Sequence, residues 1–220
     1  MIAILGVFAV ASVVIVALTP LLRRRIFFVA AIVPFVGFVH ALLQLPAIMA
    51  GGEIHETVPW IPQLSLALSA RLDALSLVLA LVVTGVGTLV MLYCARYFQD
   101  DEISLGRFAA IFLAFAGSMY GLVIADDVYL LFMFWEATSV FSYMLIGHYT
   151  AKKASRSAAL QALLVTTLGG LIMLVGFVLL AIETGTSSLS GIVAAAPSGT
   201  LVTVVTLGPP ASSLVDRGPS

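Results

Sequence analysis

Long apolar runs separated by short polar junctions set the pattern of this chain. Six of them are long enough to cross the roughly 30 Å hydrocarbon core of a bilayer as helices, at about 20 residues per crossing. They cover about Ile2 to Leu18, Ile26 to Ala50, Leu72 to Tyr93, Phe108 to Ala125, Asp127 to Gly147 and Ala158 to Ile182. Pro34 and Pro46 are expected to kink or end the second run. A transmembrane barrel would show segments of about ten residues with alternating polarity instead. The predicted fold class is all-α, a polytopic transmembrane helix bundle of about six spans.

Between spans two and three the period changes to two. Leu64, Leu66 and Leu68 alternate with Ser65, Ala67 and Ser69, which predicts a short strand. Pro59, Trp60 and Pro62 before it predict a turn near the membrane interface, where Trp is favoured. A short outer hairpin is therefore expected between spans two and three. After Glu183 the chain is small and polar to Ser190, and the apolar run from Ile192 to Leu207 is broken at Pro197, Ser198 and Gly199. A seventh helix is expected to start near Leu201 and stop. Gly208 to Ser220 has the composition of a disordered tail. The expected organisation is a membrane part over 1–205 and a tail over 206–220.

Composition agrees with a membrane solvent. The chain has 220 residues, 61% hydrophobic and 10% charged, too apolar for a soluble domain of this size. The apolar N-terminus is followed, not preceded, by its basic cluster, so it is read as a retained first helix and not a signal peptide. A net charge of -1 gives no reason to expect nucleic-acid binding. The single cysteine, Cys94, excludes an intrachain disulfide, the three histidines show no metal-ligand spacing, and no metal or cofactor is expected.

Charge also predicts orientation. Arg23 to Arg25, Arg96, Arg107, Lys152, Lys153 and Arg156 all fall on one side of the bundle if the N-terminus is outside. That side is expected to be cytoplasmic in a multi-pass plasma-membrane protein, with the lipid bilayer as its first partner. Glu53, Glu56, Asp126, Asp127 and Glu183 then lie outside, where Arg71 is the one basic residue.

Glu136 breaks the apolar pattern near the middle of span five. A charged side chain there costs about 2.5–3.5 kcal/mol or more on insertion scales. Desolvation favours the uncharged acid, and a carboxyl that gains and loses a proton at that depth is what a proton relay needs. A permanently protonated, structural Glu bonded to a neighbouring helix is the alternative. At helical spacing Tyr129, Ser139 and Tyr143 share its face and could bond the carboxyl or order water beside it. His148, directly after the span, could pass protons to the cytoplasmic side or simply face headgroups. The other spans carry no central charge, so Glu136 finds no charged partner within these 220 residues.

Other polar positions have plainer explanations. Asp126 is placed to act as N-cap of span five and Asp73 of span three; Asp126 and Asp127 could also form the outer mouth of an ion path. His40 with Gln44 one turn later reads as a hydrogen-bonded packing residue, and His55 between Glu53 and Glu56 as part of an exposed loop. Gly117-x-x-x-Gly121 suits close helix packing. Thr166, Thr167, Gly169 and Gly170 put small and hydroxyl residues in the middle of span six, for close packing or for a wet seam.

These residues together resemble a known family. Tyr93-Cys-Ala-Arg-Tyr-Phe, Arg107-Phe-Ala-Ala, Ala125-Asp-Asp-Val-Tyr-Leu-Leu-Phe-Met-Phe-Trp-Glu136 and Ser142-Tyr-Met-Leu-Ile-Gly147 are similar to the antiporter-like subunits. These include the large membrane subunits of respiratory complex I and the A subunit of Mrp-type multisubunit sodium/proton antiporters. Leu72-Asp-Ala-Leu-Ser76 resembles the family's third span, and Ala162-Leu-Leu-Val-Thr-Thr-Leu-Gly-Gly170 looks most like the Mrp A subunit. The resemblance covers about Met1 to Val205. It implies a long multi-helix subunit, working with sibling subunits, that moves protons along buried charged residues in exchange for a cation, here sodium. It also implies that Glu136 is a proton-carrying carboxylate whose partner is a lysine on a seventh span, which this chain ends before. The expectation is thus an N-terminal part, incomplete alone. Asp127 stands where the family usually has asparagine. A proton-pumping subunit of a quinone-linked dehydrogenase and a non-transporting scaffold are the alternatives.

Overall fold

The computed structural model describes residues 1–61, 66–98, 105–147 and 153–195. Pro62, Leu64, Ser65, His148, Lys152 and the stretch from Pro197 onward, with the expected seventh helix and tail, lie outside the described residues.

Hydrocarbon offers backbone amides no partner, so apolar runs of this length close their hydrogen bonds internally as helices. Six long helices result among the described residues: α1 (Ile2–Leu22), α2 (Ile26–Met49), α3 (Ala74–Tyr97), α4 (Leu105–Ile124), α5 (Val128–Ile146) and α6 (Lys153–Thr184). A short seventh, α7 (Leu189–Ala195), lies in the stretch expected to be irregular. The run Ile2–Met49 would be about 72 Å long if straight, more than twice the bilayer core. It folds back at a 3₁₀ turn, Arg23–Arg25, where Arg23 takes a positive φ of 46°. After the turn α1 and α2 lie side by side: a Cβ on Gly37 would sit 3.6 Å from both Ile4 and Phe8, and 3.0 Å from Thr84 of α3. The helix α2 runs through both prolines. Pro34 is buried beside Gly87 of α3, and α2 ends at Met49, three residues beyond Pro46.

The hairpin forms as expected, with two of the residues read as its turn, Pro59 and Trp60, inside the first strand. Strands β1 (Ile54–Ile61) and β2 (Leu66–Leu72) pair antiparallel, from Ile54 opposite Leu72 to Ile61 opposite Leu66. Pro59 and Trp60 lie inside β1, and the register is irregular between Pro59 and Ile61. Proline has no ladder N–H to give, and a two-stranded sheet tolerates it at such an irregularity. Asp73 then caps α3 as expected, accepting from the Ser76 amide at 2.8 Å and from Arg71 at 2.6 Å. Burial works to raise the Asp73 pKa, but the Ser76 and Arg71 bonds together outweigh it and hold the carboxyl below its ordinary value. Glu56 is likewise held low, first by its bond from the Met1 ammonium at 2.5 Å.

The most enclosed helix is α4, with Ala109, Leu113, Ala116 and Tyr120 buried. Its glycines let neighbours come close. A Cβ on Gly117 would lie 2.7 Å from the Phe8 Cβ of α1, and one on Gly121 would lie 2.6 Å from the Phe134 ring of α5. The Gly117/Gly121 pair therefore packs two helices of the same chain. Thr19 of α1 sits directly on Gly106, and the rings of Phe27, Phe98 and Phe108 cluster beside it with centroids 5.1–6.2 Å apart.

The bundle has two chemically distinct ends. Arg23 to Arg25, Arg96 and Arg107 belong to the end closed by the Phe27 cluster. Met1, the hairpin, Asp126, Asp127 and Ser187 to Ser190 form the other, tied by the Asp126 amide to the Ser69 carbonyl at 3.0 Å. There His55 pairs with Glu53 at 3.3 Å.

Two outcomes follow. Gly117→Ala should destabilise the bundle by about 1–3 kcal/mol through overpacking against Phe8, whereas Gly6→Ala, with open space around it, should be neutral or slightly stabilising; unfolding in detergent micelles measures both. Because the folded Asp73 pKa is depressed, its contribution to stability is full above about pH 4 and is lost as pH falls through the folded value. Asp73→Ala should cost about 1 kcal/mol at neutral pH and flatten that acid-side dependence in thermal melts.

Candidate functional site

The site is built on α5, and α5 starts at Asp127. Its backbone is extended, and its carboxylate accepts from the Tyr129 and Leu130 amides at 2.9 and 3.1 Å. The expected cap, Asp126, does something else. It is buried, and its carboxylate accepts from the Ser188 hydroxyl at 3.0 Å and from the Ser190 hydroxyl and amide at 2.8 and 3.0 Å. Ser187 donates to Asp127 at 2.5 Å. Adjacent acids thus divide the work: one caps α5, and the other clamps the junction of α6 and α7 to the head of α5. Three serines in a small polar stretch were the sequence signal for this clamp, but such a stretch reads equally as a loop.

Nine residues beyond Asp127, about 13 Å along the helix, Glu136 faces α6. Its Oε2 accepts from the Thr167 hydroxyl at 3.3 Å. Its Oε1 is buried and has no hydrogen-bond partner among the described residues. That oxygen lies against Gly170, so close that a Cβ there would overlap it. The Trp135 ring lies beside the same glycine, 3.2 Å from where that Cβ would be.

The same-face residues on α5 do not reach the carboxyl. Ser139 donates to the Trp135 carbonyl at 3.2 Å, and Tyr129 and Tyr143 stand exposed about two turns away on either side. The partner that sequence reasoning missed comes from another helix, because spacing along one chain segment reveals only same-helix neighbours.

Tyr143 and Ser139 instead line an open pocket of about 290 Å³ between α4, α5 and α6, with Thr138, Ser142 and Thr166. Thr138, Ser139 and Thr166 donate their hydroxyl protons to carbonyls of their own helices. Their oxygens therefore remain as acceptors, which suits water molecules or a cation.

His40 stands apart in α2, with Gln44 at 3.5 Å. His148 lies outside the described residues.

Two family models match this chain. Residues 125–208 match the NADH:quinone oxidoreductase/Mrp antiporter transmembrane family, and residues 60–109 match the N-terminus of NADH-ubiquinone oxidoreductase (complex I) chain 5. The A subunit of the Na(+)/H(+) antiporter of Alkalihalophilus pseudofirmus is 39% identical over 162 residues, 74% of this chain and 20% of that protein. The putative antiporter subunit mnhA2 of Staphylococcus saprophyticus is 37% identical over 165 residues, 75% of this chain and 21% of that protein. A chain in the structure of the Mrp complex from Dietzia sp. superimposes with a TM-score of 0.72 at 31% identity, over 91% of this chain and 22% of that one. Respiratory complex I from Thermus thermophilus shares the fold, with a TM-score of 0.69 at 22% identity. This chain spans about a fifth of the length of the curated relatives it matches. With five helical stretches among the described residues long and apolar enough to cross a membrane, the first of them folding back on itself, it is a multi-pass membrane protein of the NADH:quinone oxidoreductase/Mrp antiporter membrane subunit family.

Proposed function

We propose that this chain is part of a membrane subunit of a multisubunit sodium/proton antiporter in the plasma membrane, and that Glu136 carries the transported proton. The observation behind this reading is the Glu136 carboxyl itself: mid-helix, with one oxygen bonded to Thr167 and the other buried and unbonded among the described residues. A carboxyl in that state is a poor structural tie, because an unmet acceptor in a low-dielectric setting is costly. It is a good site at which a proton arrives and leaves.

The pocket beside α5, largely apolar but carrying five hydroxyl side chains, supports water as the next carrier, with Tyr143 and Ser139 ordering it and His148 at the span's end. Tyr129 lies on the other side of Glu136, toward Asp126 and Asp127. Arg23 to Arg25, Arg96 and Arg107 at one end, against Arg71 alone at the hairpin end, support the arginine-rich end as cytoplasmic and the hairpin end as outer. The identity with the A subunits of antiporters favours sodium as counter-ion. The match of residues 60–109 to a complex I chain favours a second reading, a proton-pumping subunit of a quinone-linked complex.

Glu136→Gln in the full-length, assembled complex in vesicles should lower sodium-driven proton flux about 100-fold or more; unchanged flux overturns the assignment. Proton flux that requires NADH and quinone, not a sodium gradient, decides for the second reading. For orientation, a cysteine replacing exposed Glu53 should react with a membrane-impermeant thiol reagent in intact cells, while Arg24→Cys should react only after the membrane is opened.

A further inference from the structure

The middle of α6 carries two adjacent threonines and two adjacent glycines, and in each pair one member faces Glu136 while the other does not. Thr167 donates to Glu136 Oε2 at 3.3 Å, whereas Thr166 donates to the Ala162 and Leu163 carbonyls of its own helix at 2.9 and 3.0 Å. Gly170 lies under Glu136 Oε1, whereas a Cβ on Gly169 would meet nothing within 4 Å. The motif Thr166-Thr-Leu-Gly-Gly170 is therefore split by the helix into a side that touches the carboxyl and a side that does not.

We propose that Thr167 and Gly170 form a cradle that positions the Glu136 carboxyl: Thr167 holds one oxygen, and the missing side chain of Gly170 is the space that the other oxygen occupies. The inference rests on the proton-carrier reading of Glu136 only for its functional meaning; the cradle is a statement about geometry. Its chemistry follows from the residue types. A hydroxyl both donates and accepts and turns to suit its neighbour, so Thr167 can stay bonded to Glu136 whether the carboxyl is ionised or protonated. An ammonium at that place could only donate to the oxygen facing it. Gly170 lets that carboxyl reach the α6 backbone, where any side chain would push it away. Holding one oxygen by a partner indifferent to protonation, and leaving the other unbonded, fixes the position of the group without fixing its proton. Thr167 and Gly170 are positioning residues, since they act through Glu136.

The test reads the carboxyl directly. Isotope-edited infrared spectra of this chain in lipid nanodiscs, with labelled glutamate, contain bands that disappear in Glu136→Gln and so belong to Glu136. Thr167→Val should shift those bands, the acid carbonyl moving to higher frequency as it loses a hydrogen bond, and Thr167→Ser should restore them. Gly170→Ala should shift them as well, while Gly169→Ala, which adds the same methyl group one position away, should leave them in place. Unshifted bands in Thr167→Val, or equal shifts in Gly169→Ala and Gly170→Ala, would overturn the cradle. The Thr167 pair keeps the test decisive if the Gly170 variant does not fold. Flux measurements on Glu136→Gln in the full assembly address the carrier reading separately, so either idea can fail while the other stands.

Discussion

Everything in this structure follows from a solvent that accepts and donates nothing. In hydrocarbon a polar group must find its partner within the protein, and the hydroxyls inside these helices show the usual solution. Thr84, Thr88, Ser118 and Thr166 each donate to a carbonyl four residues earlier in their own helix. Such bonds close locally and leave packing to the glycines and apolar side chains. Thr167 departs from this by reaching to another helix, and it does so at the carboxyl set in the middle of the apolar spans. The same constraint that makes the helices self-contained makes this contact between two of them informative.

The packing of α4 gives that contact its geometry. Close approach at Gly117 and Gly121 brings α1 and α5 against α4, and α5 in turn carries Glu136 to α6. At the hairpin end, Asp126 and Asp127 bind Ser187, Ser188 and Ser190, so the head of α5 and the far end of α6 are tied together. A slide of one residue along a helix is about 1.5 Å, enough to break the 3.3 Å bond from Thr167. The two acids at the hairpin end and the carboxyl in the middle thus act on the same pair of helices, although no bond joins them.

The long periodic features were legible in the sequence because they depend on solvent alone. The six spans, the alternating strand and the Asp73 cap all follow from local rules, and the structure departs from them by a few residues at the ends. What could not be read depends on which segments meet. Pro34 was expected to kink or end α2; it does not end the helix, and its ring packs beside Gly87 of α3. Asp126 was expected to cap α5 from its place at the start of the span; the serines beyond α6 engage it, and Asp127 takes the cap. The helix α7 was hidden in a stretch whose small polar residues look like linker. Tyr129, Ser139 and Tyr143 shared a stripe with Glu136, yet the carboxyl turned to α6 instead.

The uneven cover of the bundle bears on that last choice. Much of α4 is enclosed, while α6 leaves Leu164, Val165, Leu168, Ile172 and Val175 exposed along its length. Apolar side chains meet lipid or protein equally well, so exposure alone does not tell which of the two lies there. The carboxyl is more discriminating. Lipid tails could cover those leucines and valines without cost, but they could not satisfy Glu136 Oε1, which is buried without a partner among the described residues. A group so placed is relieved by a proton, by a water molecule or by a donor on other protein, and each is a partner that can be exchanged. The residue that fits the membrane poorly is also one whose surroundings among the described residues are incomplete, and that is the physical ground for proposing that a proton moves through it.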